Sequence, residues 1–514
     1  MGYSTGKIAF IFIVAVALSC AAAWLLAWRY RAAMLALMSA PLVASTPVAA
    51  TRVAPAAALE PALAVTLAAN RRAGWRLTLL LIGVSALMAL SSATLMLNFA
   101  AGENMLTPKR MLVVALVHLW PAIPAIGLLW RWSEWRVLGA LLAWFGLCFI
   151  VVLWRQVEPR PLEALLFPAI EIGPPMVLVA LLCLGNVTRA AAPWLLPPFV
   201  GLVWASIFGI DLLGLLVERR SPWLFVFPSW MIPGGVMALF AVLPWLLAWW
   251  PLRALGRALG RAYARKQLSE VMVLFTSVWA IALLVQALSA ASELGAAGAQ
   301  MLLPLLWVPL VMWIARALSQ PKGRVPTLLV LRVFQHDAQV QALYDHVVER
   351  WRLSSNTVLI AGTDLLDRTL DADDIFTFLD GGLPRRFIRQ PADVAPRLAA
   401  FDMASDAEGR YRVNECYCHD NTWQQALVAL EQRSDVVLMD LRGFQAHNAG
   451  CRHELATLAA STRLARVVVL VDGVTDRASA EAAAAGAPSG RFVWLDASSI
   501  DAAKRREVLG SLFG

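Results

Sequence analysis

Asp440, Arg442, Asn448, Cys451 and Glu454 fall within fifteen residues of one another in the run SDVVLMDLRGFQAHNAGCRHELATL, residues 434–458. These types suit chemistry on a sugar: a carboxylate beside an anomeric carbon stabilises an oxocarbenium-like transition state or captures the sugar covalently. Val436, Val437, Leu438 and Met439, bounded by Asp435 and Asp440, have the pattern of a strand buried on both faces of a parallel sheet. A helix is expected to open near Gly450. Cys451, Leu455, Leu458 and Thr462 recur at helical spacing and should face the sheet, with Glu454 at the edge of that face. Its carboxylate then lies just beyond the C-terminal end of a strand, where open α/β sheets bind ligands, and the helix N-terminus is expected to keep it ionised. From spacing alone, a solvated surface glutamate is the simpler reading.

A metal is the other chemistry to weigh, because Cys416, Cys418, His419, Cys451 and His453 are zinc-ligand types. The Cys-x-Cys-His spacing is tighter than structural zinc prefers, and adjacent strand residues point to opposite faces, so neither metal nor other cofactor is expected. No Gly-rich phosphate loop, Ser or Cys nucleophile elbow or HExxH is present, which leaves nucleotide hydrolysis and proteolysis without support from these motifs.

The elements that would position these groups alternate strand and helix from residue 325 onward. Strands are expected at 328–334, 358–361, 411–416, 435–441, 466–471 and 491–495, and helices at 338–352, 371–379, 392–401, 422–432, 450–461 and 499–512. This alternation means a mostly parallel sheet with helices on both faces. Residues 325–514 are therefore one α/β domain, set apart from residues 1–324 by Lys322, Gly323 and Pro326.

The first part has another composition. The chain is 59% hydrophobic with 22 tryptophans and 15% charged residues, outside the range of a soluble enzyme. Segments able to cross a bilayer occur near 8–28, 77–99, 111–130, 137–154, 165–185, 194–217, 223–250, 271–290 and 301–318, about nine spans in all. Met1 to Ala23 resembles a signal peptide, but its apolar run continues to Trp28, so an anchor that stays is expected. The net charge of +9 belongs to this half, since residues 325–514 hold 20 basic against 25 acidic side chains. That distribution offers no footprint for nucleic acid; the first partner is the lipid bilayer. Six cysteines, three of them inside apolar segments, make no disulfide framework.

Three features of the membrane half invite a role. The stretch 32–70 reads as a flexible or surface-lying loop. Arg253, Arg257, Arg261 and Arg265 recur every four residues, as in a basic amphipathic helix lying on an anionic leaflet or a plain positive-inside connector. Asp211 lies inside a span, with His118 a conceivable partner and helix packing its expected job; Glu171 lies nearer an interface. The series of polar groups or broken repeats that a transport pathway requires is missing from the sequence.

The run SDVVLMDLRGFQAHNAGCRHELATLAAS resembles the part of Toll/interleukin-1 receptor (TIR) domains where a strand ends in a loop and a helix begins Trp-Cys-x-x-Glu-Leu. Cys451, Glu454 and Leu455 match that box, with Gly450 in place of the tryptophan, and VLRVFQHD resembles the TIR opening strand followed by an acid, here Asp337. A second resemblance is to nucleoside 2-deoxyribosyltransferases, whose Asp-x-Gly-Thr-x-x-Glu box keeps its spacing at Asn448, Gly450, Cys451 and Glu454 after a strand-end acid, Asp440. Both resemblances imply a flavodoxin/TIR-like sheet with Glu454 as the catalytic carboxylate cleaving a ribosyl N-glycosidic bond. The ligand expected is then a nucleotide or nucleoside contacted by Asp440, Arg442, Asn448 and Asp337, and the TIR resemblance in particular implies NAD and a stress or defence setting. The same fold also serves homotypic assembly, so a non-enzymatic membrane-anchored interaction module that forms homo-oligomers through this domain stands as the alternative, with a transporter bearing a regulatory domain as a third class.

Topology follows from the basic residues. With the N-terminus outside, the loops assigned to the cytoplasm of an inner (plasma) membrane hold 17 Lys or Arg and the external ones seven, which places the C-terminal domain in the cytoplasm. A reporter active only in the cytoplasm should work when fused after Gly514 and stay silent at Glu293; the reverse pair of results overturns this arrangement.

Overall fold

In lipid the backbone must satisfy its own polar groups, so long apolar stretches become helices. The computed structural model describes residues 5–39, 60–101, 106–156, 160–219, 228–319, 323–333, 338–362, 372–419 and 421–514. Among them are seven helices long and apolar enough to cross a membrane and two bent pairs that meet the same test together. In chain order these are α1 (Thr5–Met38), α2 (Leu67–Ala101), the pair α3 (Pro108–Val117) and α4 (Ala122–Leu129), and α5 (Glu134–Arg155). There follow the pair α6 (Pro161–Glu171) and α7 (Gly173–Leu182), then α8 (Asn186–Glu218), α9 (Met237–Ala264), α10 (Glu270–Leu294), and a 3-10 stretch running into α11 (Trp307–Ser319). The pairs bend by 50° and 49°. Proline explains both breaks: Pro121 precedes α4, and Pro168, Pro174 and Pro175 crowd the α6–α7 junction.

Three expectations change here. α1 continues to Met38 and α2 begins at Leu67, so both ends of the supposed loop 32–70 are helix, while residues 60–66 are not; residues 40–59 lie outside the described residues. The arginine run is no separate surface helix, because α9 carries it as the continuation of a long apolar segment. Asp211 pairs with Lys7 on α1, and not with His118, whose Nδ1 lies 2.8 Å from the Val114 carbonyl of its own helix.

The chain forms two compact units: Met1–Trp28, Thr78–Met312 and Thr369–Phe376 make the first; Arg29–Leu77, Trp313–Arg368 and Thr377–Gly514 the second. In the first, α10 is the most enclosed helix. Buried hydroxyls on α2 recur every seven residues: Thr78 accepts from Trp130 Nε1 (2.9 Å), Ser85 from Trp279 Nε1 (3.2 Å), and Ser92 bonds Gln286. Trp279 and Gln286 are also seven apart, so α2 and α10 run parallel. Two further ties are polar: Lys7 with Asp211, and Arg189 Nη1 with the Trp132 carbonyl at 2.8 Å.

The second unit contains a seven-stranded sheet, every pairing parallel, in the order β3-β4-β2-β1-β5-β6-β7. The strands are β1 (Thr327–Arg332), β2 (Asn356–Ala361), β3 (Phe387–Ile388), β4 (Val413–Cys418), β5 (Val436–Asp440), β6 (Arg466–Val471) and β7 (Phe492–Asp496). After β1, α12 (Ala338–Leu343) runs through a π-helical turn (Tyr344–Val348) into α13 (Glu349–Trp351). The remaining helices are α14 (Ala372–Leu379), whose residues up to Phe376 belong to the first unit, α15 (Val394–Ala399), α16 (Trp423–Glu431), α17 (Ala449–Ala460), α18 (Arg477–Ala483) and α19 (Ala502–Phe513). β1, β2 and β5 are buried along their whole length, as the unbroken apolar runs required. The edge strand β3 and helix α18 escape the sequence pattern, the one being two residues long and the other an Ala-rich stretch without an apolar stripe. Before β4 the irregular segment is pinned by buried ions: Glu349 takes Arg352 at 2.7 Å and Arg410 at 2.5 Å, and Arg412 pairs with Asp406 at 2.6 Å.

The polar ties of the first unit constrain how the chain threads. The Arg189–Trp132 bond puts the start of α8 level with the turn before α5, and the Lys7–Asp211 pair puts the start of α1 level with the last third of α8. If each long helix crosses once, both ties hold only when each bent pair crosses too. Single cysteines at Ser133 and Asn186 should therefore label from the same face of a sealed membrane, opposite to one at Lys7; labelling of Ser133→Cys and Asn186→Cys from different faces means that a bent pair is re-entrant.

Candidate active site

Strand order reverses between β1 and β5, since the chain leaves β1 towards β2 and leaves β5 towards β6. A crevice at the carboxyl ends of the strands opens at such a point. The two strands end there on Arg332 and Asp440, which are register partners. Both are buried, at 2% and 4% exposure.

Each has a partner. Arg332 Nη1 donates to the Tyr344 hydroxyl at 3.1 Å, and its guanidinium stands 5.9 Å from the centre of that ring. Tyr344 opens the π-helical turn, the kind of insertion that re-aims a side chain and recurs at functional sites. Asp440 is gripped by Arg442 in a two-point pair, Nε to Oδ1 at 2.8 Å and Nη2 to Oδ2 at 2.6 Å, and it also accepts from the Arg442 backbone N–H at 3.2 Å. Two residues expected to touch a ligand thus hold each other and shape the turn after β5. Asp472 braces that turn from the loop after β6, accepting from Gly443 N at 3.1 Å and the Thr475 hydroxyl at 2.7 Å. Asn448 serves the loop as well, its Oδ1 accepting from Gln445 N at 2.8 Å, and it makes no side-chain cap on α17. Asp337 lies outside the described residues.

Glu454 differs from its expected setting in two respects. It is not at the edge of the α17 face but within it, 5% exposed alongside Cys451, Leu455, Leu458 and Ala459, whereas Thr462 is exposed beyond the helix end. It is not held ionised either: burial pushes its carboxyl up to about 8, against the pull of the Arg332 cation. The reason is position, because Glu454 is the sixth residue of α17 and the helix field fades within the first turn. Among the described residues, its buried Oε2 has no hydrogen-bond partner. An unpaired buried carboxyl oxygen costs about 1–3 kcal/mol, a cost that a ligand donor or cation would remove. Cys451, one turn earlier, offers no nucleophile, since burial and the nearby Glu454 carboxyl push its thiol up to about 12.

Arg332 and Tyr344 were missed by the motif reading. The signal was present in an arginine closing an otherwise apolar strand, TLLVLR, since a cation buried at a strand end needs a reason. The candidate zinc residues are not gathered: among the described residues no group of three His, Cys, Asp or Glu could hold a metal. Cys416 Sγ instead faces the Leu359 carbonyl, and His453 stands edge-on to Trp423. Compared with protein-family models, curated proteins and solved structures, the chain matches none.

The Glu454 carboxyl gives a pH prediction. Its folded-state pKa of about 8 lies above the unfolded value of about 4.3, so the native state holds a proton that the unfolded state has lost. The stability this contributes is complete below the unfolded pKa and drains away as pH rises to the folded one, by ~1.4 kcal/mol per pH unit. Glu454→Gln removes that slope. Denaturant unfolding of the full chain should show the variant gaining on the wild type by on the order of a few kcal/mol between pH 5 and pH 8; parallel pH profiles would show that the carboxyl is not buried in its neutral form.

Proposed function

We propose that the second unit is a TIR-like cytoplasmic domain that binds a nucleotide at the β1/β5 switch point and cleaves its ribosyl N-glycosidic bond, on a nine-span plasma-membrane anchor with its N-terminus outside. The observation that carries this is Glu454: a buried carboxyl with an unpartnered oxygen, one helix away from the strand end where open α/β sheets bind ligands. The strand order supports the comparison, because β2-β1-β5-β6-β7 follows the 2-1-3-4-5 order of flavodoxin-like sheets with β3 and β4 added beyond β2.

The chemistry follows from the site's charge. A buried neutral acid ionises when a cation arrives, giving its proton to the solvent, since the opposite charge offsets the desolvation that raised its pKa. A ribosyl centre losing its base is such a cation. The C1′–N bond breaks with its electron pair leaving on the base, and the Glu454 carboxylate stabilises the oxocarbenium ion or bonds to C1′. Water then attacks C1′, expelling the Glu454 carboxylate with its electron pair where it has bonded, and gives its proton to the solvent or the carboxylate. Arg332 supplies a fixed positive charge at the end of β1 for a phosphate. A second reading, an assembly module in a stress or defence setting, draws on the Asp440–Arg442 pair, which closes on itself and leaves two expected ligand contacts engaged.

The purified full chain, incubated with NAD or a nucleoside, should release the free base. Glu454→Gln should lower that rate on the order of a hundredfold or more while leaving the unfolding midpoint at pH 5 in place. kcat/KM should rise with pH to a midpoint near the free-site value of about 8. Turnover that survives in Glu454→Gln removes the assignment, and a wild type that consumes no nucleotide favours the assembly module.

A further inference from the structure

The end of α9 carries a four-residue repeat, Arg-Ala-Leu-Gly from Arg253, Arg-Ala-Leu-Gly from Arg257 and Arg-Ala-Tyr-Ala from Arg261, closed by Arg265. The repeat divides the helix lengthwise. Its inward positions pack: Leu252 lies against Gly201, Gly260 against the Phe376 ring, and Tyr263 is buried with its ring 5.5 Å from that of Trp194. Its outward face is Arg253, Ala254, Arg257, Ala258, Arg261, Ala264 and Arg265, all exposed. Cations four apart on a helix repel one another. Among the described residues, none of the four arginines forms an ion pair with an acid, so nothing there offsets that repulsion. Small alanines between them leave the guanidinium groups unobstructed.

We infer that this arginine face of α9 binds the anionic headgroups of the leaflet at the helix's C-terminal end. Three observations point to lipid phosphate. Trp245, Trp249 and Trp250, all exposed, immediately precede the repeat, and tryptophans in such a position mark the membrane interface. The apolar helix from Gly234 to Ala264 has 31 residues, about 46 Å at ~1.5 Å per residue, while the hydrocarbon core is ~30 Å thick, so its last turns emerge among the headgroups. Helical side chains lean towards the helix N-terminus, which for α9 is back towards the bilayer; Arg261 shows this, its Nε donating to the Arg257 carbonyl at 3.3 Å. A solvated stripe meant for a soluble partner would not need the tryptophan collar or this backward reach.

The test uses the full chain reconstituted in phosphatidylcholine bilayers with a minor fraction of phosphatidylglycerol. Mass spectrometry then reads which lipids stay bound after mild detergent extraction. The wild type should retain phosphatidylglycerol in excess of its share, and added salt should weaken the excess. Replacing all four arginines by glutamine should cut the enrichment about tenfold or more, whereas replacing them by lysine, which keeps the charge, should preserve most of it. Should the fourfold glutamine protein fail to insert, Arg253→Gln with Arg257→Gln, nearest the tryptophan collar, should still halve the enrichment or more. Equal enrichment in wild type and glutamine variants overturns the inference, as does a wild type that shows no preference, which would assign the stripe to an acidic protein partner instead.

Discussion

The pair between Arg324 and Asp435 sets the geometry of the sheet unit. Arg324 meets both carboxylate oxygens, at 2.8 and 2.6 Å, and the same carboxylate accepts from the Thr327 N–H at 2.9 Å, so the first residue of β1 and the residue before β5 are fixed together. Register in a sheet is all or nothing, because a slip of one residue turns every side chain to the opposite face. With the entry ends locked, the exit ends follow: Arg332 comes level with Asp440, and the helix after β5 starts where Glu454 is carried into the buried face. Arg324 also reaches the Glu60 carbonyl at 2.6 Å and accepts from Leu63 N at 2.8 Å, which fastens the segment before α2 to the same corner.

The central strands and α17 were legible because burial on both faces leaves a plain record: unbroken apolar runs for β1, β2 and β5, and helical spacing from Cys451 to Leu458. Periodicity says which face a residue shares but little about how deep it lies, so Glu454 was set at an edge that the structure closes over. Its protonation followed the same path. Desolvation acts at full strength on a group nearly enclosed, whereas the helix field acts only at its first turn, so burial outweighs the dipole at Glu454. Asp440 and Arg442 could not be recognised as a pair from sequence, since residues two apart on a strand lie side by side and only the turn after β5 folds the guanidinium back.

In the membrane half, hydrophobic runs located the spans, but the internal polar contacts had no signature at that scale. Serine and threonine are unremarkable in an apolar helix until their seven-residue spacing on α2 is set against Trp279 and Gln286 on α10. Asp211 was rightly taken as a group needing a partner, and the partner came from the far end of the chain, 204 residues away, a distance over which sequence pattern carries no information. The bends behave differently, because proline removes a donor wherever it stands and so marks them locally.

The hydroxyl spacing on α2 bears on how the bundle can move. A helix side that is wholly apolar can slide or roll against its neighbours through a continuum of similar packings. Ser85 and Ser92 bond the Trp279 ring nitrogen and the Gln286 amide of α10, so a screw displacement of α2 along α10 breaks both bonds at once and finds no new partners until a full seven-residue repeat has passed, about 10 Å at ~1.5 Å per residue. Motion of that size is closed to a packed bundle. α2 therefore transmits displacement along its length as a rod keyed to α10.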